Sequence, residues 1–283
     1  QGSGWVMSNE RIVCWFSCGA ASAVATKLAI AHNNKNEKLP LVIAYTEVCE
    51  EHPDNSRFLS ECEKWFGQEI QIIGNHKYEA SIYEVFRKER FLKGPSGAAC
   101  TRLLKKGMRK QFEQPGDRQV FGYTVEEQRR VDQFIDANND VDIWAPLIDK
   151  GLAKQDCLAL LAKEGIELPA MYKLGYKNNN CIGCVKGEAG YWNKIRVDFP
   201  EAYERMAMME EHLGRTVCKI GMPQALKRYP DKVRHLIATD EPLEKQYWRP
   251  TLRELPKDAG SYEAESDISC GIFCELAQSD LVS

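Results

Sequence analysis

The sequence predicts an α/β protein: a mostly parallel open sheet with helices on both faces, in three layers, plus a mainly helical, cysteine-containing C-terminal region. Three observations predict it. Strand-like and helix-like segments alternate up to about residue 165. The strand candidates are continuous apolar runs, Ile12–Phe16 and Leu39–Tyr45, as expected of strands covered on both faces. Beyond residue 170 the strand pattern stops. The expected division is a first domain at 8–168 and a C-terminal region at 169–283, carrying a Cys-x-x-Cys and packed on the first.

The stretch Arg11–Ile30 organises the rest. Its apolar start is too short for a helix and reads as a strand. Ser17-Cys18-Gly19-Ala20-Ala21-Ser22 then supplies small residues and a glycine, and Val24, Lys27, Leu28 and Ala31 recur at helical spacing. A small-residue turn at a helix N-terminus aims backbone N–H groups at an anion. The same residues also suit an ordinary strand–helix turn, and they match neither the dinucleotide fingerprint nor the Walker pattern.

Leu39–Tyr45 is the second strand, ending in Thr46-Glu47 and a polar loop with Glu50 and His52. Asp54–Phe66 reads as a helix with Phe58, Cys62 and Trp65 as its buried stripe. Ile70–Ile73 is a third strand and Lys77–Phe91 a helix. After the break at Lys93–Ala99, Cys100 opens a basic helix running to Phe112. Val120-Phe121-Gly122 is a fourth strand. Val125–Ala137 is a helix, acidic first and basic later, which suits its dipole. Asp142–Leu147 is a short strand, Lys154–Lys163 a helix, and Phe199–Leu213 a helix with methionines in its core face. Glu254–Asp267 reads as a surface loop.

The composition, 43% hydrophobic and 28% charged over 283 residues, is that of a folded protein. A formal charge of −3 gives no support for broad nucleic-acid binding, although a local basic patch is compatible with it. No stretch is apolar enough to span a membrane. Gln1-Gly2-Ser3-Gly4 reads as a cloning remnant, and no secretory signal is visible, so a cytoplasmic location is expected.

Eleven cysteines, an odd number, argue against a full disulfide framework. Cys14 and Cys62 sit in apolar patterns and read as core. Cys181-Ile182-Gly183-Cys184 can aim two thiolates at one metal or cluster, or serve as a dithiol redox pair. Cys100, at a helix start after a glycine-rich break, is the best distant partner. Cys157, Cys218, Cys270 and Cys274 are further candidates. Arg102, Lys105, Lys106, Arg109 and Arg130 are candidate oxyanion clamps, with Arg102 and Arg130 preferred; the arginine fork pairs with two oxygens at once.

Taken together, these residues resemble the phosphoadenosine phosphosulfate (PAPS) reductase family, within the adenine-nucleotide α-hydrolase-like (PP-loop) group, over residues 12–184. Ser17–Ser22 resembles the phosphate loop, and Thr46-Glu47 the nucleotide-contacting edge. Cys100-Thr101-Arg102-Leu103-Leu104-Lys105 resembles the cysteine–basic segment, and Gly122-Tyr123 through Arg130 the Gly…Glu…Arg segment. Trp144-Ala145-Pro146-Leu147, Tyr172, Gly175-Tyr176 and Cys181-Ile182-Gly183-Cys184 follow one another as in the family.

The resemblance implies a PP-loop, Rossmann-like fold and an adenine nucleotide (PAPS, APS or ATP) across the strand ends. Ser17, Cys18, Gly19, Ala20, Ala21, Ser22, Thr46, Glu47, Arg102, Gly122 and Arg130 would hold it. It also implies a [4Fe-4S] cluster on Cys100, Cys181 and Cys184, with Cys218 as a weaker fourth ligand; Ala99 breaks the family's adjacent cysteine pair. Cys270 would be the nucleophile of a thiol-dependent reduction of activated sulfate, cleared by a reductant such as thioredoxin. The alternative is an ATP-dependent sulfurtransferase that adenylates a nucleic acid or small molecule, with Mg2+ on Glu47 or Glu50. There, Ala21 stands where those relatives carry an aspartate. A third reading is a non-catalytic nucleotide- or metal-binding accessory protein with zinc at the cysteines. A homo-oligomer is compatible with all three, and no membrane partner is expected.

Overall fold

Successive side chains of a strand point to opposite faces, and the first strand uses both. The structure, a computed structural model, describes residues 11–268 except 96 and 139. Ile12, Cys14 and Phe16 enter one core, and Val13 and Trp15 another. That strand, β1 (Arg11–Phe16), is the middle of a five-stranded parallel sheet with β2 (Leu41–Thr46), β3 (Ile70–Ile73), β4 (Asp117–Val120) and β5 (Asp142–Trp144), in the order β3-β2-β1-β4-β5. The register pairs Val13 with both Val42 and Gln119. The helices that matter here are α1 (Ala20–His32), α2 (Asn55–Phe66), α3 (Ile82–Glu89), α4 (Gln128–Ala137), α5 (Lys154–Lys163), α6 (Ala189–Asp198) and α7 (Pro200–Leu213). Residues of α1, α2 and α5 cover the Ile12 face, and Val131 and Phe134 of α4 cover the Trp15 face. This is the three-layer α/β architecture predicted.

A third core joins Tyr83, Val85 and Phe86 of α3 to Tyr191, Trp192 and Ile195 of α6, and to Tyr203 and Met206 of α7. It takes residues from both sides of position 168. The C-terminal region also holds one short antiparallel pair, Ile220–Gly221 with Tyr247–Trp248, and α6, which no sequence pattern marked. No helix among the described residues is long and apolar enough to cross a membrane.

Four elements depart from expectation, each for a local reason. The helix expected at 77–91 is broken at Glu79 and Ala80, which have φ of +53° and +49°; α3 starts afresh where Glu50 accepts from Ser81 Oγ (2.6 Å) and the Ile82 amide (2.9 Å). The basic helix after Cys100 begins as a wide π-helical turn, Thr101–Lys106, before an α-helical turn at Gly107–Phe112. On α2, Phe66 rather than Trp65 completes the buried stripe; the Trp65 indole instead donates to Glu164 (3.3 Å). Strand β4 ends at Val120, because the chain turns at Gly122 to meet the start of α1.

Candidate functional site

In an open parallel sheet the crevice forms where neighbouring strands send their connections to opposite faces. Here that point lies between β1 and β4. A cleft of about 550 Å³ opens there, lined by Ser17, Gly19, Ala21 and Ser22 after β1 and by Phe121 through Thr124, Glu126, Glu127 and Arg130 after β4. The size is that of a small-molecule site.

The floor is the 17–22 turn. The hydroxyl of Ser22 accepts from the Ser17 amide (3.0 Å) and lies 3.1 Å from the Ser17 hydroxyl. Cys18 takes a left-handed φ of +55°, its side chain fully buried, so it offers backbone rather than thiol. Burial and the neighbouring Glu51 carboxylate push that thiol far up its scale. Ala20 is likewise buried, and its amide donates weakly to the Tyr172 hydroxyl (3.4 Å). Helix α1 starts with no side-chain cap and no acid in its first turn, which leaves its positive end open to an anion. Gly122 closes the turn from the other strand. A Cβ there would stand 2.6 Å from the Ser22 amide nitrogen.

The walls carry further polar groups. Lys105, not Arg102, reaches the cleft, and its ammonium pairs with Glu51 at 3.2 Å. Glu51 is 8% exposed and also accepts from Tyr45 (2.5 Å) and Asn55 (2.8 Å). Asn179 donates to the Cys18 carbonyl (2.7 Å) and to Asn55 (2.8 Å), while its own Oδ1 is buried with no hydrogen-bond partner among the described residues. An acceptor fixed in this way at the cleft wall suits a ligand hydroxyl or amine. Arg130 pairs with Glu127 and lies 5.4 Å from the Tyr123 ring centre. Lys154 donates to Asn178 and Asp267, both at 2.8 Å. The only sequence signal for the amide wall was three consecutive asparagines before a Cys-x-x-Cys.

Of the predicted site residues, Ser17, Gly19, Ala21, Ser22, Thr46, Gly122 and Arg130 meet at the cleft. Glu47 does not: it is exposed, lies beside Gly74, and its amide continues the β3 edge to Ile73. Arg102 is 54% exposed at its side chain and faces Glu89 at 3.8 Å. The wide turn after Cys100 turns Lys105 inward and leaves Arg102 outside. Glu50 is committed to the start of α3, and His52 to the Asp54 amide, with its ring beside Phe199. Cys270, the predicted nucleophile, lies outside the described residues, as does Cys274. Ile268, two residues before Cys270, lines the cleft, and its carbonyl accepts from Asn178 (3.2 Å) and Asn180 (2.8 Å).

The cysteines collect in the third core. Cys181, Cys184 and Cys218 are buried in it, and Cys100 packs against it. The Tyr191 hydroxyl shapes the Cys-x-x-Cys: it accepts from the Gly183 and Cys184 amides (3.1 and 2.9 Å) and donates to the Cys181 carbonyl (3.2 Å). Gly183 takes φ +77°, and the Ile182 amide anchors the turn to the Glu50 carbonyl at 2.8 Å. A short hairpin pairs Lys93 with Ala98, two residues before Cys100. Burial lowers the pKa of the Lys93 ammonium, while the Cys218 and Cys184 thiols and Glu188 oppose that shift. Burial likewise raises the Cys218 thiol, with Lys93 pulling it back.

Among the described residues, no group of three or more His, Cys, Asp or Glu converges on one metal ion. A cubane cluster spreads its thiolates over the corners of a cage. Cys181, Cys184 and Cys218, with the half-buried Cys100 against them, are the sulfur atoms this core offers, and the Lys93 ammonium acts on Cys184 and Cys218. Cys14, Cys62 and Cys157 are buried in the other core with thiols raised by burial, those of Cys62 and Cys157 to about 12. No family model, no curated protein and no solved structure matches the chain.

Proposed function

We propose that the cleft binds an adenine nucleotide with its anionic end over residues 17–22, and that the chain reduces a sulfonucleotide, PAPS or APS, in a thiol-dependent reaction. One observation carries the reading. Asn178–Asn180 wall the cleft, and the next residue in the chain begins the Cys181–Cys184 pair. A nucleotide's charged end and a thiolate-held group would then be close neighbours.

In this reading the open end of α1 and the Lys105 ammonium balance the phosphate and sulfate charge. Arg130 leaves Glu127 to pair with an oxyanion. The Asn179 carbonyl takes a hydrogen bond from the nucleoside. A [4Fe-4S] cluster on Cys100, Cys181 and Cys184, with Cys218 as a weaker fourth ligand, would add an electrostatic field at the leaving oxyanions without carrying electrons. The Cys270 thiolate attacks the sulfur, and the sulfur–oxygen bond to the nucleotide phosphate breaks. The nucleotide leaves with that electron pair, and Cys270 holds an S-sulfonate. A dithiol reductant such as thioredoxin then releases sulfite and becomes a disulfide.

Anaerobic protein incubated with PAPS or APS and reduced thioredoxin should release sulfite, and Cys270→Ser should release none. If neither nucleotide yields sulfite while ATP is converted to AMP, the reductase reading fails and the sulfurtransferase reading replaces it. Cys181→Ala and Cys184→Ala should each lose iron and the absorbance that comes with it. Iron retained in both variants refutes the ligand assignment. A colourless protein with stoichiometric zinc refutes the cluster.

A further inference from the structure

We propose a second binding surface, for single-stranded nucleic acid, on the exposed face of the ribbon formed by Ile220–Gly221 and Tyr247–Trp248. It goes beyond the cleft and does not depend on which nucleotide the cleft takes. The sequence around the ribbon is locally basic: residues 215–249 hold eight Lys and Arg against four Asp and Glu, in a chain whose formal charge is −3. Summed charge of that kind says little until the fold places it on one face.

The register does so. Ile220 pairs with Trp248 and Gly221 with Tyr247, antiparallel. One step outward in the same register, Lys219 stands opposite Arg249. Ile220 and Trp248 are buried, whereas Lys219, Tyr247 and Arg249 are exposed. Directly opposed residues share a face, and opposed like charges destabilise a strand pair. Here two cations are opposed, and the Lys219 ammonium lies 5.0 Å from the Tyr247 ring centre. Lys245 is a third exposed cation two residues before Tyr247. None of the three has a carboxylate within ion-pair distance among the described residues. Arg253, four residues beyond Arg249, shows the opposite arrangement, held by Glu204 and Glu211. The ribbon thus keeps a repulsive pair of charges around a half-exposed aromatic ring, and an anion relieves it.

The ring selects the class of anion. Phosphates of a nucleic-acid backbone pair with Lys219 and Arg249 while a base stacks on Tyr247, as at single-strand binding platforms. A lipid headgroup would use the cations but has no ring to stack. The salt dependence of binding counts the phosphates neutralised, at about 0.7 per contact for single strands.

The test is fluorescence anisotropy of the whole protein with a short labelled single-stranded RNA, across a salt series. Wild type should bind. Lys219→Gln with Arg249→Gln should weaken binding at least tenfold and lower the salt slope by about 1.4. Tyr247→Ala should weaken it roughly 5- to 100-fold with the slope unchanged. Lys163→Gln, an exposed cation elsewhere, should bind as wild type. All four side chains are at the surface, and unchanged melting curves establish that each variant is folded. The proposal is overturned if wild type does not bind at low salt, if the ribbon variants bind as wild type, or if Tyr247→Ala has no effect. Equal binding to anionic vesicles with the same dependence on these residues overturns it too.

Discussion

Two glycines frame the proposed phosphate floor, and the structure gives them opposite sensitivities. A Cβ on Gly122 would lie 2.6 Å from the Cα and amide nitrogen of Ser22 and 2.8 Å from the Ala21 carbonyl carbon. All three neighbours are backbone at the start of α1, so no side chain can swing aside. Restoring an ordinary 3.4 Å contact requires the two segments to part by about 0.8 Å. Overpacking of this kind costs about 1–3 kcal/mol; taken from ligand binding, the same energy is roughly 5- to 150-fold in affinity. Gly122→Ala should therefore lower the melting temperature modestly and weaken nucleotide binding within that range. Gly19 has an ordinary negative φ, −103°. Its added Cβ would meet the Tyr172 hydroxyl at 3.5 Å, Ser17 Oγ at 3.6 Å and Ser22 Oγ at 4.0 Å, all ordinary contacts, so Gly19→Ala should melt as wild type. Thermal melting and calorimetric titration with adenine nucleotides read both. A Gly122→Ala variant that melts and binds as wild type would refute the close approach of β4 to α1 on which the cleft rests.

Glu51→Ala removes the acceptor shared by Lys105, Tyr45 and Asn55. Breaking a buried pair from one side costs about 3–5 kcal/mol, which a denaturant titration against Glu51→Gln should show as a much larger loss for alanine. Tyr191→Phe takes one hydroxyl from three backbone groups of the Cys-x-x-Cys turn; iron bound per chain after anaerobic reconstitution should fall while the cysteine count is unchanged. Asp54 clamps Arg57 and the Ala170 amide, and the Arg57 hydrogen bonds hold its carboxyl below the usual carboxylate range. Its folded pKa is thus below its unfolded value of about 3.9. The stability it adds is present above that value and lost as pH falls through the folded pKa. The difference in melting temperature between wild type and Asp54→Asn should stay constant from neutral pH to about 4 and shrink below it. A constant difference down to pH 2 would sink that linkage.

The sheet was legible because burial on both faces leaves a plain signal: β1 and β2 are apolar runs within a residue or two of their expected bounds, while β3, an edge strand exposed at Gln71 and Ile72, lies at the expected 70–73. The turn at 17–22 was legible as small residues between a strand and a helix, a pattern that by itself suits an ordinary turn as well as an anion site. What could not be read was direction. Arg102 and Lys105 are three residues apart on what reads as one helix, and the guanidinium fork favours the arginine. The π-helical turn at Thr101–Lys106 sends the lysine into the cleft instead. Glu47 and Glu50 were the acids the sequence singled out, yet Glu51 is the acid that three donors surround. Side-chain direction at such positions depends on one or two residues' backbone angles, and periodicity does not encode them.

The same limit explains why Asn178–Asn180 read only as a polar, turn-prone lead into Cys181. A run of amides has no period, and its role appears only when both of its ends are fixed. One end is tied through Asn179 to the Cys18 carbonyl at the floor of the cleft. The other continues into a turn held by the Tyr191 hydroxyl and the Glu50 carbonyl. Glu50 itself starts α3, and Glu51, next in the chain, closes the polar network under the floor. A movement of the floor on ligand binding therefore has a short route to the cysteine pair, through Asn179 on one side and Glu50–Glu51 on the other. Both routes are hydrogen-bonded backbone or short side chains with little slack, so the cleft and the thiol core should respond to a ligand as one unit.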